Sequence, residues 1–500
     1  MCGVVAISGS KNAPIEVLLG LMNLQHRGQD GAGVLGVDQS GYHLEKAAGL
    51  IHGTDLENNL TDCKQKQAIG HTRYATVGRG NPDLLQPFIL PDDGISLAHN
   101  GNIVNYLALK EKLQEEGLID PESFVESDSY ILLLLLKRAL HKCAGEKAKD
   151  YRWRSQDKSA IFDSIRMVMA QAVGGFACTG MLGDGTVIGF RDPHGIRPLM
   201  IGTKTTADGR LERALASESV ALSYLGFREI QDIHPGEAVV IYEDGTVERQ
   251  IVAAERERPC MFEWVYFSRV ESTMDPISVC QARFNLGIEL GKHVQELGVE
   301  ADVVIPVPET SRVSAIALAE QLHLPFRELL VKNRYVNRTF ILDTQESREE
   351  ALKRKLFPIQ NEFEGKRCLI VDDSIVRGNT AKQLVKLIEQ AGAREVILLS
   401  CCPPIKNPCY YGIDFPSQKE LLAAGRNEEE IAKELGADRV IFQTLDGLKN
   451  ALGRKNGPDA QDSLCTGCLD RGYPTDISAF ERFAAQRISD KEVKQVEPKP

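Results

Sequence analysis

The stretch RCLIVDDSIVRGNTAKQLVKLIEQAG, residues 367–392, constrains the fold of this 500-residue chain more than any other. Its apolar strand CLIV ends in Asp372 and Asp373, and a helix is predicted to begin near Thr380. Strands that are apolar throughout are typical of parallel sheets covered on both faces. The segments ADVVIPVP and EVILLS have the same character and alternate with helical segments. The second half of the chain is therefore predicted to be an α/β domain with a parallel sheet.

The loop between that strand and its helix has the composition of a phosphate site. Ligands of open parallel sheets bind at the carboxyl ends of the strands. Backbone N–H groups at a helix start, together with hydroxyl side chains, suit a phosphate monoester. Two adjacent carboxylates can hold ribose hydroxyls or a hydrated Mg²⁺. The plainer interpretation, a solvated acidic turn, leaves the repulsion between these carboxylates without compensation.

This segment closely resembles the phosphoribosyl diphosphate signature of type I phosphoribosyltransferases. The resemblance implies that VIPVPETSR holds the pyrophosphate leaving group and that Ser311 contacts Mg²⁺ together with the two aspartates. The implied phosphoribosyl diphosphate site comprises Asp372, Asp373, Ser374, Arg377, Gly378, Asn379 and Thr380.

A cluster of basic residues lies between the two loops, in VKNRYVNRTFI, where Lys332, Arg334 and Arg338 fall within seven residues. One interpretation is a solvated basic face. The other is a mobile lid over the phosphoribosyl diphosphate. Its cations would offset the charge on departing pyrophosphate, and its closure would exclude water.

The first half of the chain is strand-rich, with hairpin turns predicted at GDG (183–185) and EDG (243–245). Helical periodicity in PIEVLLGLMNLQH and NYLALKEKLQEEG makes this half α+β. The charged stretch AAERERP, residues 253–259, is the predicted linker. The predicted divisions are a first domain over 2–235, a connecting segment over 236–259, a second domain over 260–458, and a C-terminal segment with a disordered tail over 459–500.

The chain opens MCGVVAISG, so loss of Met1 would leave Cys2 with both a thiol and a free α-amine. An α-amine titrates near pH 8 and can accept the proton of the thiol. From these residues alone, a chance small hydrophobe is the commoner explanation. Taken together, however, MCGVVAISG, QHRGQDGAG, GHTRYATVG, LAHNGNI and ESDSYILL resemble the class II glutamine amidotransferase domain. That domain is an N-terminal nucleophile hydrolase, which implies an α+β fold of four αββα layers.

The resemblance implies a role for each motif. Cys2 would attack the side-chain amide of glutamine, giving a thioester and ammonia. Asn100 and the N–H of Gly101 match the oxyanion hole. Arg73 would hold the α-carboxylate of glutamine and Asp128 its α-ammonium, although Arg73 alone would be assigned to a surface salt bridge. Activation by simple methionine removal is expected, whereas cluster-containing relatives commonly carry a propeptide.

A glutaminase domain followed by a phosphoribosyltransferase domain is similar to the amidophosphoribosyltransferase family. The implied reaction converts glutamine, phosphoribosyl diphosphate and water into 5-phosphoribosylamine, pyrophosphate and glutamate, with internal transfer of ammonia. Feedback inhibition by purine nucleotides and a homotetramer are further implications. Two alternatives stay open: a glutamine-fructose-6-phosphate transamidase, which lacks a VDDSIVRGNT-type loop, and a nucleotide-sensing regulator, which needs a basic surface.

Cysteines form a second group of candidates. Cys465 and Cys468 have C-x2-C spacing, but zinc or an iron-sulfur cluster needs four ligands. One subclass of the family binds a [4Fe-4S] cluster, and this resemblance implies two further ligands. Structural zinc and free thiols are the alternatives, and Cys401 and Cys402 are rival ligands. The implied ligand set is Cys260, Cys409, Cys465 and Cys468.

Composition limits the partners and the compartment. A net charge of -11 opposes binding to nucleic acid or anionic membranes. The longest apolar run, in SDSYILLLLLKRALH, falls far short of the roughly 20 residues of a membrane span and predicts a buried helix. The start of the chain has no secretory signal pattern, so we expect a cytoplasmic protein whose twelve cysteines are thiols or metal ligands.

Overall fold

The computed structural model describes residues 1–38, 41–74, 81–122, 124–144, 158–332, 356–415, 417–453 and 463–478. Its first half contains two antiparallel sheets that face each other. Across the first sheet the strands are ordered Arg228–Asp232, Met200–Thr205, Leu211–Ala216, Gly3–Ser8, Gln67–Arg73, Gly31–Asp38 and Gly41–Ala48. Across the second they are ordered Val247–Ile251, Glu237–Ile241, Val187–Arg191, Gly174–Leu182, Ile95–Ile103 and Phe88–Leu90.

Both predicted hairpin turns are confirmed, and the second of them corrects a domain boundary. The EDG turn joins Glu237–Ile241 to Val247–Ile251, and the first of these strands also pairs with Val187–Arg191. These strands therefore belong to the second sheet of the first domain. The expected end of that domain at residue 235 is wrong, because the hairpin completes a sheet instead of connecting two domains. Irregular chain begins only after Ile251, in the charged stretch 253–259.

Helices cover the outer face of each sheet, which gives the four αββα layers. The helices against the first sheet are Ala13–Asn23, Leu56–Thr61 and Ser219–Tyr224. Those on the side of the second sheet are Tyr106–Glu115, Asp128–Ala144 and Lys158–Met169. Between the sheets lies an apolar core that includes Val4, Ile69, Ala177, Met181 and Val239.

The apolar run ILLLLL lies within the helix Asp128–Ala144 and is buried, as predicted. Across the part of the chain that the structure describes, no helix combines the length and the apolar character needed to cross a membrane.

The second half contains the predicted parallel sheet, with strands ordered Val303–Pro306, Arg367–Asp372, Glu395–Ser400 and Arg439–Phe442. Separate apolar cores lie on its two faces, which explains why its strands are apolar throughout. The helices are Asn379–Gln390 and Glu428–Leu435 on one face and Val279–Glu296 and Arg312–Leu322 on the other.

Short elements complete the described chain. They are the 3-10 turns Pro82–Leu84, Gln360–Glu362 and Gln418–Glu420, the π-helical turn Glu263–Phe267, the strand pairs Thr273–Met274 with Ile277–Ser278 and Leu330–Lys332 with Leu356–Pro358, and the helices Leu445–Ala451 and Gly467–Asp470. The predicted disordered tail lies outside the described residues.

Buried charges join the two halves. Arg27 is fully buried and donates through Nη2 to Glu263 Oε2 at 2.6 Å and through Nε to Glu218. Glu218 Oε2 also accepts from the backbone N of Arg269 at 2.9 Å and from Ser272 Oγ at 2.7 Å. Burial raises the pKa of Glu218, but Arg27 and His26 outweigh this effect and hold it well below its usual range. The first domain is thus anchored to the segment that leads into the second.

Truncation of the central strand tests the core of the second domain. Ile370 is fully buried in Arg367–Asp372, and Ile370→Ala should lower the free energy of unfolding by about 2–5 kcal/mol, measured by urea denaturation. Ile359→Ala is the matched control, because Ile359 is 44% exposed and its truncation should change stability by no more than about 0.5 kcal/mol. Equal losses in the two variants would contradict this account of the core.

Candidate active sites

The start of the chain lies where the two sheets of the first domain meet. Cys2 precedes the central strand Gly3–Ser8, and its backbone N donates to Asn100 Oδ1 at 3.2 Å. Asn100 is buried in the strand Ile95–Ile103 of the facing sheet. Its Nδ2 has no hydrogen-bond partner within the described chain. A buried amide donor therefore remains available beside the thiol.

The residue after Asn100 must be glycine. Gly101 has φ +147°, and a Cβ atom there would lie 2.0 Å from the carbonyl oxygen of Gly175 in the neighbouring strand. The geometry is compatible with the oxyanion hole predicted at Asn100 and Gly101, whose role stays a prediction.

The predicted glutamine-binding residues border the same site. Arg73 ends the strand Gln67–Arg73 and is only 7% exposed, unlike an arginine in a surface salt bridge. Its Nη1 donates to the carbonyl oxygen of Asn81 at 3.1 Å. Burial lowers the pKa of Arg73, an effect opposed by Cys2 and Asp30, so both acidic groups lie near the guanidinium. Asp128 begins the helix Asp128–Ala144, and its Oδ2 accepts from the backbone N of Ile103 at 3.2 Å.

A buried polar network lies beside Asp128, and sequence reasoning missed it. Gln86 Oε1 accepts from the backbone N of His99 at 2.7 Å, and Gln86 Nε2 donates to Ser129 Oγ at 2.9 Å. His99 Nδ1 lies 3.0 Å from the same hydroxyl and 3.8 Å from Asp128 Oδ2. Burial lowers the pKa of His99, so the ring is neutral at neutral pH. His99 lies in the motif LAHNGNI and Ser129 in the motif ESDSYILL, whereas nothing in the local sequence identifies Gln86 as part of this network.

The paired aspartates lie at the carboxyl edge of the parallel sheet, as predicted. Asp372 Oδ1 accepts from the backbone N of Asp373 at 2.9 Å, and Asp373 Oδ1 accepts from Ser374 Oγ at 2.8 Å. Burial raises the pKa of both carboxyls, that of Asp373 to about 6, and the charge of Asp373 raises that of Asp372 further. The repulsion anticipated from the sequence is present, and a bound cation would relieve it.

The loop after the aspartates runs into the helix Asn379–Gln390, whose first turn contains Asn379 and Thr380. Gly378 precedes the helix with φ +77°, and a Cβ atom there would lie 2.8 Å from Leu422 Cδ2. Arg377 lies at the surface, with Nε 3.6 Å from a Glu420 carboxylate oxygen.

The other predicted ligands of this site have different surroundings. Ser311 lies just before the helix Arg312–Leu322 and follows the strand Val303–Pro306 in the chain. That strand pairs with Arg367–Asp372, the strand that leads to the aspartates. Its buried Oγ donates to the Val307 carbonyl oxygen at 2.6 Å. Lys332 is exposed in the strand Leu330–Lys332. Arg334 and Arg338 lie outside the described residues.

The four predicted cluster ligands converge from three distant segments. Cys260 forms a parallel β-bridge with Cys465, whose backbone N donates to the Pro259 carbonyl oxygen at 2.8 Å. The backbone N of Asn407, which lies two residues before Cys409, donates to the carbonyl oxygen of Cys468 at 2.9 Å.

The twelve cysteines are all free thiols. Burial raises the pKa of Cys260 to about 11, and it raises the pKa values of Cys465 and Cys468 well above the usual range. Within the described ranges, no group of three or more His, Cys, Asp or Glu side chains is placed to hold a metal ion. The rivals Cys401 and Cys402 are buried just after the strand Glu395–Ser400.

Comparisons with known proteins agree with this two-domain arrangement. Residues 45–148 match the family model for a glutamine amidotransferase domain, and residues 288–413 match that for a phosphoribosyl transferase domain. The amidophosphoribosyltransferase of Escherichia coli K12 is 40% identical over 486 residues, which cover 95% of this chain and 94% of that protein. The amidophosphoribosyltransferase of Bacillus subtilis 168 is 38% identical over 490 residues, covering 96% of each.

Solved structures extend the similarity to three dimensions. Glutamine phosphoribosylpyrophosphate amidotransferase from B. subtilis, complexed with ADP and GMP, has a TM-score of 0.81 at 38% identity and covers 95% of this chain and 98% of that one. A structure described as the allosteric regulatory enzyme of purine biosynthesis has a TM-score of 0.83 at 37% identity, with coverage of 95% and 97%. The transamidase and regulator alternatives are wrong, because near-full-length enzymes with both domains match. This chain belongs to the amidophosphoribosyltransferase family.

Proposed function

We propose that this chain is a pentosyltransferase with glutaminase activity that converts glutamine, phosphoribosyl diphosphate and water into 5-phosphoribosylamine, pyrophosphate and glutamate. This reaction is the first committed step of purine biosynthesis. The observation that carries the proposal is the contact of Cys2 with Asn100, whose Nδ2 has no partner among the described residues. The second domain of the same chain presents Asp372 and Asp373 at a sheet edge.

In the glutaminase domain, Cys2 acts as the nucleophile after loss of Met1. Its α-amine accepts the thiol proton, the sulfur attacks the side-chain amide of glutamine, and ammonia leaves with the thioester formed. Asn100 Nδ2 and the Gly101 N–H stabilise the oxyanion, and one such donor contributes on the order of 10²–10³ in rate. Arg73 and Asp128 hold the α-carboxylate and α-ammonium of glutamine, while water later hydrolyses the thioester to glutamate.

In the second domain, the sheet edge holds phosphoribosyl diphosphate. Ser374 and the N–H groups at the helix start bind the 5-phosphate, with Arg377, Gly378, Asn379 and Thr380 completing the loop. Ser311, Asp372 and Asp373 would hold Mg²⁺, which offsets the charge of the diphosphate when bound. Lys332 and Arg334 of the lid add positive charge near the departing pyrophosphate, and ammonia attacks the anomeric carbon of the ribose.

Internal transfer of ammonia is supported by close contact between the domains near the oxyanion hole. Asn102 Nδ2 donates to the carbonyl oxygen of Tyr410 at 2.8 Å. A Cβ atom at Gly412 would lie 2.9 Å from the Gly101 carbonyl oxygen, and Tyr74 Oη donates to Asp414 Oδ2 at 3.5 Å. The segment 410–414 of the second half thus packs directly on the glutaminase strand Ile95–Ile103.

The thiols would hold a [4Fe-4S] cluster through Cys260, Cys409, Cys465 and Cys468. The donor set is compatible with the cluster, because three of the four thiols are buried and the segments that carry them are joined by backbone contacts. The half-buried Cys409 Sγ accepts from the backbone N of Tyr411 at 3.4 Å. When bound, it would pin the linker, the second domain and the C-terminal segment together.

Regulation, assembly and location complete the proposal. Purine nucleotides act as allosteric feedback inhibitors, an inference supported by the ADP and GMP bound in the B. subtilis relative. The family resemblance favours a homotetramer. Free thiols are typical of reducing compartments, which supports a cytoplasmic location.

Replacement of the nucleophile separates the two activities. Cys2→Ser should lower the glutamine-dependent rate of phosphoribosylamine formation by more than about 10³-fold, because the hydroxyl is a far weaker nucleophile. Synthesis from ammonium salts should stay within about three-fold of the parent, measured with phosphoribosyl diphosphate and Mg²⁺. Cys280→Ser, at an exposed thiol, is the control. An unchanged glutamine-dependent rate in Cys2→Ser would refute the assignment.

The raised pKa of Asp373 predicts how substrate binding depends on pH. A carboxyl with a pKa of about 6 must lose its proton to bind Mg²⁺, so Mg²⁺-dependent binding of phosphoribosyl diphosphate should weaken about ten-fold as pH falls from 7 to 5. Calorimetric titration measures this affinity. Asp373→Asn should bind weakly at both pH values, whereas Asp446→Asn, at an exposed position, should behave as the parent. A parental affinity in Asp373→Asn would contradict the site.

Iron analysis distinguishes the proposed cluster ligands from their rivals. Cys468→Ser, prepared without oxygen, should retain less than about a tenth of the parental iron and sulfide, because a ligand is lost. Cys143→Ser should match the parent, since Cys143 lies on the helix Asp128–Ala144 of the first domain. The ligand assignment fails if Cys402→Ser loses the iron and Cys468→Ser keeps it.

A further inference from the structure

Arg197 is a fully buried cation with unused hydrogen-bond donors. Its Nη1 contacts Met1 Sδ and lies 3.2 Å from Glu263 Oε1. Its Nε and Nη2 have no hydrogen-bond partner within the described residues. Buried donors nearly always have a partner, so two open donors on one guanidinium indicate a neighbour that the polypeptide alone does not supply.

The surroundings of Arg197 show which neighbour this is. The carbonyl oxygen of the preceding residue, Ile196, accepts from the backbone N of Cys260 at 3.3 Å, and the backbone N of Glu263 donates to the Cys260 carbonyl oxygen at 3.2 Å. Arg197 is thereby held against the β-bridge between Cys260 and Cys465. Cys260, Cys409 and Cys465, three of the proposed cluster ligands, lie close enough to act on the charge of its guanidinium.

Electrostatics point the same way. Burial lowers the pKa of Arg197, but Cys260, Glu263, Cys409 and Cys465 together raise it above its usual value. Glu263 is shared, because its Oε2 also accepts from Arg27 Nη2 at 2.6 Å and from Ser268 Oγ at 2.9 Å. One shared carboxylate engages one nitrogen of Arg197 and leaves the side of Nε and Nη2 without a counter-charge.

Four thiolates around a [4Fe-4S] core carry a net negative charge, which is unfavourable in a buried site unless a cation is near. We propose that Arg197 is a positioning residue for the thiol site, supplying counter-charge and N–H groups to a cluster held by Cys260, Cys409, Cys465 and Cys468. The inference rests on the cluster of the proposed function. The same guanidinium contacts Met1 Sδ and is linked through Glu263 to Arg27.

The consequence concerns retention and reduction of the cluster. Without the cation, the iron-sulfur unit is less stable, and adding an electron to it becomes harder because no positive charge offsets the increase in negative charge. The variants are R197M, which removes the charge at similar length, and R197K, which keeps it. The control is R138M, because Arg138 pairs with Glu116 Oε2 at 2.5 Å on the helix Asp128–Ala144 of the first domain.

Each full-length chain is reconstituted with ferrous iron and sulfide under anaerobic conditions. Iron per chain, loss of the visible absorbance in excess chelator and the midpoint potential are then measured. R197M should lose the absorbance about ten-fold faster than the parent and have a more negative potential, whereas R197K should stay within about three-fold. R138M should lose its cluster at the parental rate.

Parental retention and potential in R197M would overturn the inference. Equally fast loss in R138M would also overturn it, because it would indicate a general effect of losing a paired arginine. If R197M does not fold, R197Q replaces it, and retention equal to that of R197K then refutes the role of charge. A parent chain that takes up no iron refutes the proposed cluster, and this inference with it. A parent that holds a cluster insensitive to Arg197 refutes only the inference.

Discussion

The buried contacts of Arg27 with Glu218 and Glu263 hold the two halves of this chain in one arrangement. Removing one partner of a buried ion pair leaves an uncompensated charge in the interior, so these ion pairs form only when all their partners are in place. Glu218 belongs to the first domain, and Glu263 belongs to the π-helical turn that leads into the second. Arg27 and Glu263 also lie near the amino group of Met1, so docking of the domains and the start of the glutaminase strand depend on the same charges.

Both proposed sites use groups whose surroundings make them reactive. Asn100 has a buried amide donor that no group in the described part of the chain engages, and Asp372 and Asp373 are neighbouring carboxyls with raised pKa values. Each arrangement is unfavourable in the free protein and becomes favourable when a developing oxyanion or a cation is present. The carboxyl edge of the parallel sheet provides such a position for the aspartates, because the strand end fixes the backbone while leaving one side open for a ligand.

The segment 410–414 links the proposed cluster to the proposed ammonia path. It follows Cys409 directly, and Tyr410 and Gly412 pack on the glutaminase strand at Asn102 and Gly101. A cluster that fixes Cys409 would therefore also fix one wall of the space between the two sites. The proposed metal site would therefore stabilise the junction between the domains, and Arg197 would connect that site to Met1 at the start of the chain.

Local patterns in the sequence determined the parallel sheet, the buried helix Asp128–Ala144, the paired aspartates and the order of the two domains, because strand and helix periodicity and short motifs depend on neighbouring residues. The motif resemblance also supplied the four cysteines. Only the tertiary structure decided that Glu237–Ile241 completes the second sheet, that Gln86 connects His99 to Ser129, and that Arg197 lies beside the thiols. Arg27 and Glu263 are 236 positions apart, and no local pattern encodes such a pair. Their contact arises because packing of the sheets and domains removes both charges from water. In the interior, each charge is stable only beside the other.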